Sequence, residues 1–151
     1  MEFLVSTERR PDGVTMARLM PDVEPPPFHR AAGGFAGNVD RWMIVDASLP
    51  CLIDVDVGSA EIGSGALAGN RLQGLAYHAL NVPTPETEIT THFFYGHARL
   101  FQTDSKEMDE VYRRDFFRIF MEDVAIVEAQ QAAMDQAPSR AQIDINVDAP
   151  G

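Results

Sequence analysis

The chain has 151 residues, of which 45% are hydrophobic and 23% are charged, a composition typical of one folded domain spanning residues 1–151. Its net charge of −11 argues against a protein that binds nucleic acid through the phosphate backbone. The single cysteine, Cys51, excludes a disulfide within the chain, and no apolar run is long enough to cross a membrane, so a cytoplasmic location is expected.

The N-terminal part of the chain is predicted to form a β-hairpin. Residues 3–9 and 14–20 alternate roughly between apolar and polar positions, and the Pro-Asp-Gly sequence at 11–13 favours a tight turn between them. The segment 21–38 is rich in proline and glycine and is predicted to be a loop in which His29 is solvated.

Further strands are predicted between this loop and the C-terminal helix. Turns are expected at residues 48–50 and 83–86, and a glycine-rich mobile loop is expected at 58–70. A short closing strand is predicted at 142–147. Because many strands precede one long helix, the sequence predicts an α+β fold in which the helix lies across one face of an antiparallel sheet. The strands predicted in this part cover residues 41–46, 51–57, 73–82 and 88–101.

One long helix is predicted over residues 104–136, which contain no glycine or proline. Asp123 falls in the middle of its apolar stripe. A buried carboxylate has to be paired, hydrogen-bonded or bound to a metal. Two interpretations therefore stay open: a structural ion pair with a sheet arginine such as Arg41 or Arg99, or a metal-binding or catalytic role. Steps of three and four residues place these apolar side chains beside Asp123: Tyr112, Phe116, Ile119, Phe120, Ile126, Val127 and Met134.

Two histidines, His92 and His97, have a spacing seen in paired metal ligands. Both lie in a predicted strand, where residues five apart point to opposite faces, so we do not expect them to share one ion. His92 shares its predicted face with Phe94 and with the small residues Gly96 and Ala98, which leave room for a ligand. No Ser-His-Asp order, phosphate-binding glycine loop or zinc-finger spacing supports a hydrolase or a nucleotide-binding protein.

Several motifs, taken in their order along the chain, resemble the C-terminal catalytic domain of Rieske non-haem iron oxygenases. The most similar branch of that family contains the vanillate O-demethylase oxygenases. The resemblance extends from about residue 2 to residue 149. The motifs are D-G-V-T-M-A-R at 12–18, P-P-P-F at 25–28, D-R-W at 40–42, T-P-E-T-E at 84–88, T-T-H-F-F at 90–94 and F-M-E-D-V-A-I-V-E-A-Q-Q at 120–131.

The resemblance implies a helix-grip fold, like that of START and Bet v 1 proteins, in which a curved antiparallel sheet packs on the long C-terminal helix. It implies Fe(II) held by two histidines and by Asp123, which would be both the metal ligand and the catalytic residue. The full-length parent would be a mono- or dioxygenase that uses O₂ to hydroxylate a small aromatic substrate or its methyl or methoxy group. A reductase or ferredoxin would supply electrons through a [2Fe–2S] cluster, and the parent would be a homotrimer.

The sequence departs from that family in two respects. Neither the D-x-x-H-x-x-x-x-H motif nor the cysteine and histidine ligands of a Rieske domain are present, so we expect a fragment that binds no iron tightly and is inactive alone. The alternatives are a non-catalytic helix-grip module that binds an apolar small molecule between sheet and helix, and an acid–base pair of His92 and Asp123. Arg114 would suit an anionic aromatic acid, although a solvated helix arginine is the competing interpretation. The substrate-binding residues expected are Ile53, Asn81, His92, Phe94, Arg114 and Phe120.

Overall fold

The computed structural model describes residues 4–137 of the chain. It confirms the α+β prediction, because strands occupy the first part and one long helix follows them. The structure divides into two compact units, Met1–Thr103 and Asp104–Gly151. The prediction of a single domain over residues 1–151 stays a prediction. The elements are β1 Leu4–Arg10, β2 Gly13–Val23, α1 Pro27–Gly33, β3 Val39–Ser48, β4 Leu52–Glu61, a 3₁₀ helix Ala66–Ala68, β5 Leu75–Pro85, β6 Thr91–Arg99 and α2 Lys106–Gln136.

The six strands form one antiparallel sheet in which every strand pairs with the next one in the chain. Short connections favour this arrangement, since antiparallel neighbours can be joined by tight turns. Arg18, Met43, Val57, Tyr77 and Arg99 are register partners across β2–β6 and lie on one side, called here the tyrosine face. The residues that alternate with them, among which are Trp42 and Gly58, lie on the other side, the tryptophan face.

A small core lies on the tryptophan face. Trp42 is completely buried, and its indole Nε1 donates a hydrogen bond of 2.8 Å to Asp56 Oδ1. Its register partner in β4 is Gly58, and the absence of a side chain there leaves space for the indole ring. The other members of the core, fully or partly buried, are Leu19, Ile44, Ala60, Ala66, Leu67 and Ala76.

The substitution Gly58→Ala is expected to lower the free energy of unfolding by about 1–3 kcal/mol, the usual cost of overpacking a core. A Cβ atom at this position would overlap the indole ring of Trp42 and would lie 2.5 Å from the Leu75 carbonyl oxygen. Gly96→Ala, in β6, is the matched control, because a Cβ atom there has no neighbour within 4 Å. Urea denaturation followed by the fluorescence of the single tryptophan would measure both variants. Equal stability of the two would contradict the packing described here.

Three sequence-based boundaries were wrong. The predicted loop at 21–38 contains the end of β2 and helix α1, and the predicted loop at 58–70 begins with the last residues of β4. Strand β5 continues through the predicted turn at 83–86, so that the chain reverses instead at residues 86–90, where the Glu86 amide donates to the Thr90 carbonyl over 3.0 Å.

Prolines explain two of these differences. Pro27 occupies the first turn of α1, where its missing amide hydrogen is not needed for a helical hydrogen bond. Pro83 and Pro85 lie beyond the last pair that joins β4 to β5, so they pair only with β6. A strand with one unpaired side tolerates proline. The predicted strand at 142–147 lies outside the described residues, and within those residues no helix is long and apolar enough to span a membrane.

Candidate active site

Asp123 lies near the middle of α2, as the sequence predicts. The helix begins after Ser105, whose side chain accepts a hydrogen bond of 3.1 Å from the Met108 amide, and Glu107 and Asp109 occupy its first turn. The expectation that Asp123 is buried is wrong for this chain: its side chain is exposed, and so are those of Ile126 (67%) and Val127 (61%).

The structural ion pair considered for Asp123 stays a prediction, because Arg41 and Arg99 belong to the sheet unit and Asp123 belongs to the other compact unit. The Arg99 guanidinium donates to the Gln102 and Thr103 carbonyls. No three His, Cys, Asp or Glu side chains of the described chain converge on a point that would hold a metal. The described residues therefore do not assemble a complete metal site by themselves, and the role of Asp123 as an iron ligand stays a prediction.

Two of the expected substrate-binding residues, Ile53 and Asn81, are register partners on the tyrosine face, with Tyr95 beside Asn81 on β6. The Asn81 Oδ1 atom is shielded from solvent and has no hydrogen-bond partner in the part of the chain that the structure describes. A buried acceptor of this kind is costly unless something donates to it. Asn81 therefore has the property expected of a residue that binds a ligand with a polar hydrogen.

His92 and Phe94 lie on the opposite side of the sheet. Their register partners are Thr84 and Val82, which belong to the tryptophan face, and both side chains are exposed. His92 Nε2 lies 3.3 Å from Glu86 Oε1 across the hairpin. The expected pocket residues are thus not brought onto one face. His97, which the sequence predicts on the side away from His92, lies beside Ala79 on the tyrosine face, and burial lowers its pKa.

Arg114 and Phe120 both lie on α2, in the other compact unit. The Arg114 side chain is exposed and its Nε donates 2.8 Å to Asp115, a hydrogen bond that raises the pKa of the guanidinium. This contact agrees with the interpretation of Arg114 as a solvated helix arginine, the alternative to a role in binding an anionic substrate. Phe120 is half-buried. The substrate-binding role of both residues stays a prediction.

The prediction that His29 is solvated is wrong. Its side chain is 3% exposed, with Nδ1 2.7 Å from Ser59 Oγ and Nε2 3.5 Å from the Tyr77 hydroxyl. Burial, with a smaller contribution from the charge of Arg41, lowers the pKa of His29 to about 4. Burial also raises the pKa of Tyr77 to about 12, so both groups are neutral at pH 7.

This buried polar cluster of His29, Ser59 and Tyr77 fastens α1 to the tyrosine face. The His29 and Tyr77 rings also meet edge to face, with centroids 5.9 Å apart. Sequence reasoning missed the cluster. The one available signal was Pro27 after Pro26, which is compatible with the first turn of a helix.

The sequence and the fold of this chain are similar to those of known oxygenase subunits. The toluene-4-sulfonate monooxygenase system iron-sulfur subunit of Comamonas testosteroni is 34% identical over 123 residues, which are 81% of this chain and 35% of that protein. The vanillate O-demethylase oxygenase subunit of Pseudomonas sp. (strain HR199 / DSM 7063) is 34% identical over 155 residues, covering 99% of this chain and 44% of that protein. The chain thus spans less than half the length of these relatives.

A solved structure, dicamba monooxygenase with non-heme iron and dicamba, has the same fold with a TM-score of 0.67 and 19% identity, over 93% of this chain and 43% of that one. The family model and the sequence relatives define the class of the protein, the C-terminal domain of Rieske-type oxygenases. All of residues 1–151 match the family model of the vanillate O-demethylase oxygenase C-terminal domain. The chain belongs to that family.

Proposed function

We propose that this chain is the catalytic domain of an oxygenase that uses Fe(II) and O₂ to hydroxylate a small aromatic compound or its methyl or methoxy group. The observation that carries the proposal is the family match over all 151 residues. Relatives with this domain are named oxygenase or monooxygenase subunits. Those names favour the oxygenase over the non-catalytic binding module with the same fold.

Asp123 is proposed as the carboxylate ligand of the iron. It is an exposed acid on α2, and it lies in the E-D sequence through which the helix resembles the family. Because no second and third ligand converge on it in the described chain, two histidines have to be supplied by another part of the full-length protein. Iron with two histidines and one carboxylate retains open positions at which O₂ is activated.

The proposed partners follow from this assignment. A [2Fe–2S] cluster in a Rieske domain of the parent would receive electrons from a reductase or ferredoxin, and the parent would be a cytoplasmic homotrimer. The substrate-contacting groups contributed by this chain would be Ile53 and Asn81 on the tyrosine face, since these two share one face. His92 and Phe94 keep their predicted role only if a ligand reaches the tryptophan face.

The proposal is tested with the purified full-length protein, loaded with iron and supplied with a reductase. We expect O₂ uptake that depends on an aromatic methyl ether such as vanillate, with formaldehyde released in proportion. Reconstituted protein that contains iron but neither consumes O₂ nor forms a hydroxylated product with a panel of aromatic methyl and methoxy compounds would favour the binding module.

A further inference from the structure

The segment of residues 24–38, which contains α1, leaves the sheet and returns to it at the same place. Val23 at the end of β2 and Val39 at the start of β3 are register partners, so the sheet holds the two ends of the segment together. The segment can therefore move without separating a pair of strands. Gly34 ends α1 with a positive φ of 68°, and together with Gly37 it supplies flexible backbone on that side.

Among the seven residues of α1, all of which the structure describes, His29 alone is buried. A helix of this length is marginal in water by itself, so its position depends on what it packs against. A surface helix ordinarily packs through apolar side chains. The inner side of α1 instead presents an imidazole, with Nδ1 2.7 Å from Ser59 Oγ on β4 and Nε2 3.5 Å from the Tyr77 hydroxyl on β5. The buried contact that holds α1 is therefore one that can acquire a charge.

The other polar contacts of α1 are exposed to water. Gln102 Nε2 donates a hydrogen bond of 3.0 Å to the Ala32 carbonyl. Arg30 pairs with Glu24 at 3.1 Å, but both residues belong to the same segment and can move together. Such exposed contacts contribute little to stability. His29 is thus the main polar attachment of α1 to the strands. The neighbouring residues Pro25 and Phe35 are buried on either side of α1, which confines a movement to the helix between them.

The surroundings of His29 favour its neutral form. Burial, and to a smaller extent the charge of Arg41 on β3, lower the pKa of His29 to about 4. Burial raises the pKa of Tyr77 to about 12, so this hydroxyl keeps its proton from pH 4 to pH 7. Glu61, the acid of β4 on the tyrosine face, is exposed, and water screens its charge. The charged groups that the neighbouring strands β2 and β6 place on the same face are Arg18 and Arg99.

We propose that α1 is a hinged lid on the tyrosine face, latched by neutral His29 and released when this histidine takes up a proton. Release brings the hydroxyls of Ser59 and Tyr77 into contact with water. This device is independent of the proposed oxygenase function, because it needs only the sheet and α1.

The direction of the pH dependence follows from the two positions of the histidine. In the open state the imidazole lies in water and takes up a proton below its ordinary pKa of 6.5, whereas in the closed state it stays neutral down to about pH 4. Between these values the open state binds one more proton, so the open fraction should rise about tenfold for each pH unit that the pH falls. Above pH 6.5 the closed state keeps its full advantage.

The test is amide hydrogen exchange of the full-length protein between pH 5 and pH 8, followed by mass spectrometry and corrected for the intrinsic exchange rate. The α1 amides, such as that of Arg30, which donates 2.9 Å to the Pro26 carbonyl, should be at least about tenfold less protected than those of β3 and β4. Below pH 6.5 their protection should fall about tenfold for each pH unit.

Strand β1 is the control within the same samples. It is an edge strand that is exposed along most of its length, and it can open while His29 stays buried, so its protection should not follow this pH dependence. Equal protection of α1 and of β3 and β4 would show that α1 leaves only when the sheet unit unfolds, and would overturn the lid. A protection of α1 that stays constant below pH 6.5 would overturn the latch.

The variant His29→Asn should lower the protection of α1 at pH 7 and remove its pH dependence, because an amide does not titrate. His92→Asn, which changes an exposed histidine, should keep the wild-type dependence. The same dependence in His29→Asn as in the wild type would contradict the proposal. If His29→Asn does not fold, Ser59→Ala replaces it: α1 should be less protected at every pH, with its pH dependence retained, and wild-type protection of α1 in Ser59→Ala would contradict the latch.

Discussion

The substitution Asp123→Asn in the full-length protein is expected to abolish both iron binding and oxygenation. The proposed site has two neutral histidines, so Asp123 supplies the one negative charge that a divalent iron receives from the protein. An amide has a similar shape but no charge. Changing a residue that only orients a metal ligand usually costs 10- to 100-fold in affinity. Loss of the ligand itself should therefore cost more than about 100-fold, which elemental analysis of the purified variant and an O₂-uptake assay would detect.

The neighbouring Glu122→Gln provides the matched control. Glu122 is exposed on the same helix, where its Oε1 atom lies 3.7 Å from Arg118 Nε. The substitution Glu122→Gln changes the net charge by the same amount as Asp123→Asn but leaves the proposed ligand in place. Iron content and turnover should therefore stay at wild-type values. The helical circular dichroism of both variants would establish that α2 is intact. If Asp123→Asn retains iron and turnover, the ligand assignment is wrong and another carboxylate has to be sought.

The helix could be predicted from the sequence because its information is local. Thirty-one residues without glycine or proline, with apolar side chains every three or four positions and Ser105 at the start, define α2 without reference to the rest of the chain. The position of Asp123 in the apolar stripe follows from the same period. Its exposure does not, because burial depends on what the rest of the protein places against the stripe.

The pocket could not be predicted in the same way, since it depends on register between strands. Alternation within β6 shows that His92 and Phe94 share a face. It does not show which residues of β5 lie on the same face as these two. The register pairs Asn81 with Tyr95 and Val82 with Phe94. His92 and Phe94 therefore lie on the other face of the sheet from Ile53 and Asn81. A shift of one residue would have brought all four together.

The face on which each charged residue lies was also beyond sequence reasoning. In β3 the adjacent residues Asp40 and Arg41 have opposite charges, and they point to opposite faces. The register between strands then places Arg18, Arg41 and Arg99 on the tyrosine face. The buried polar cluster illustrates the same limit, because His29 and Tyr77 are 48 positions apart in the chain.

The stability of the sheet unit is expected to fall by about 3 kcal/mol when the pH is lowered from 7 to 4. His29 is neutral when folded, with a pKa of about 4, whereas in the unfolded chain its pKa is 6.5. Between these values the unfolded state binds one more proton than the folded state, so the stability contributed by neutral His29 is complete above pH 6.5 and is lost as the pH falls towards 4. Each pH unit of this window corresponds to about 1.4 kcal/mol.

Urea unfolding followed by Trp42 fluorescence between pH 4 and pH 8 measures this loss, since Trp42 is the single tryptophan and is buried in the same unit. In His29→Asn, the amide can retain a hydrogen bond to Ser59 but does not titrate, so the variant should be less stable at pH 7 and should lack the His29-dependent slope. The control His92→Asn changes an exposed histidine and should keep the slope of the wild-type protein. An equal pH dependence in the wild type and in His29→Asn would show that protonation of His29 does not destabilise the sheet unit. The neutral form of His29 would then not be required to hold α1 on the sheet.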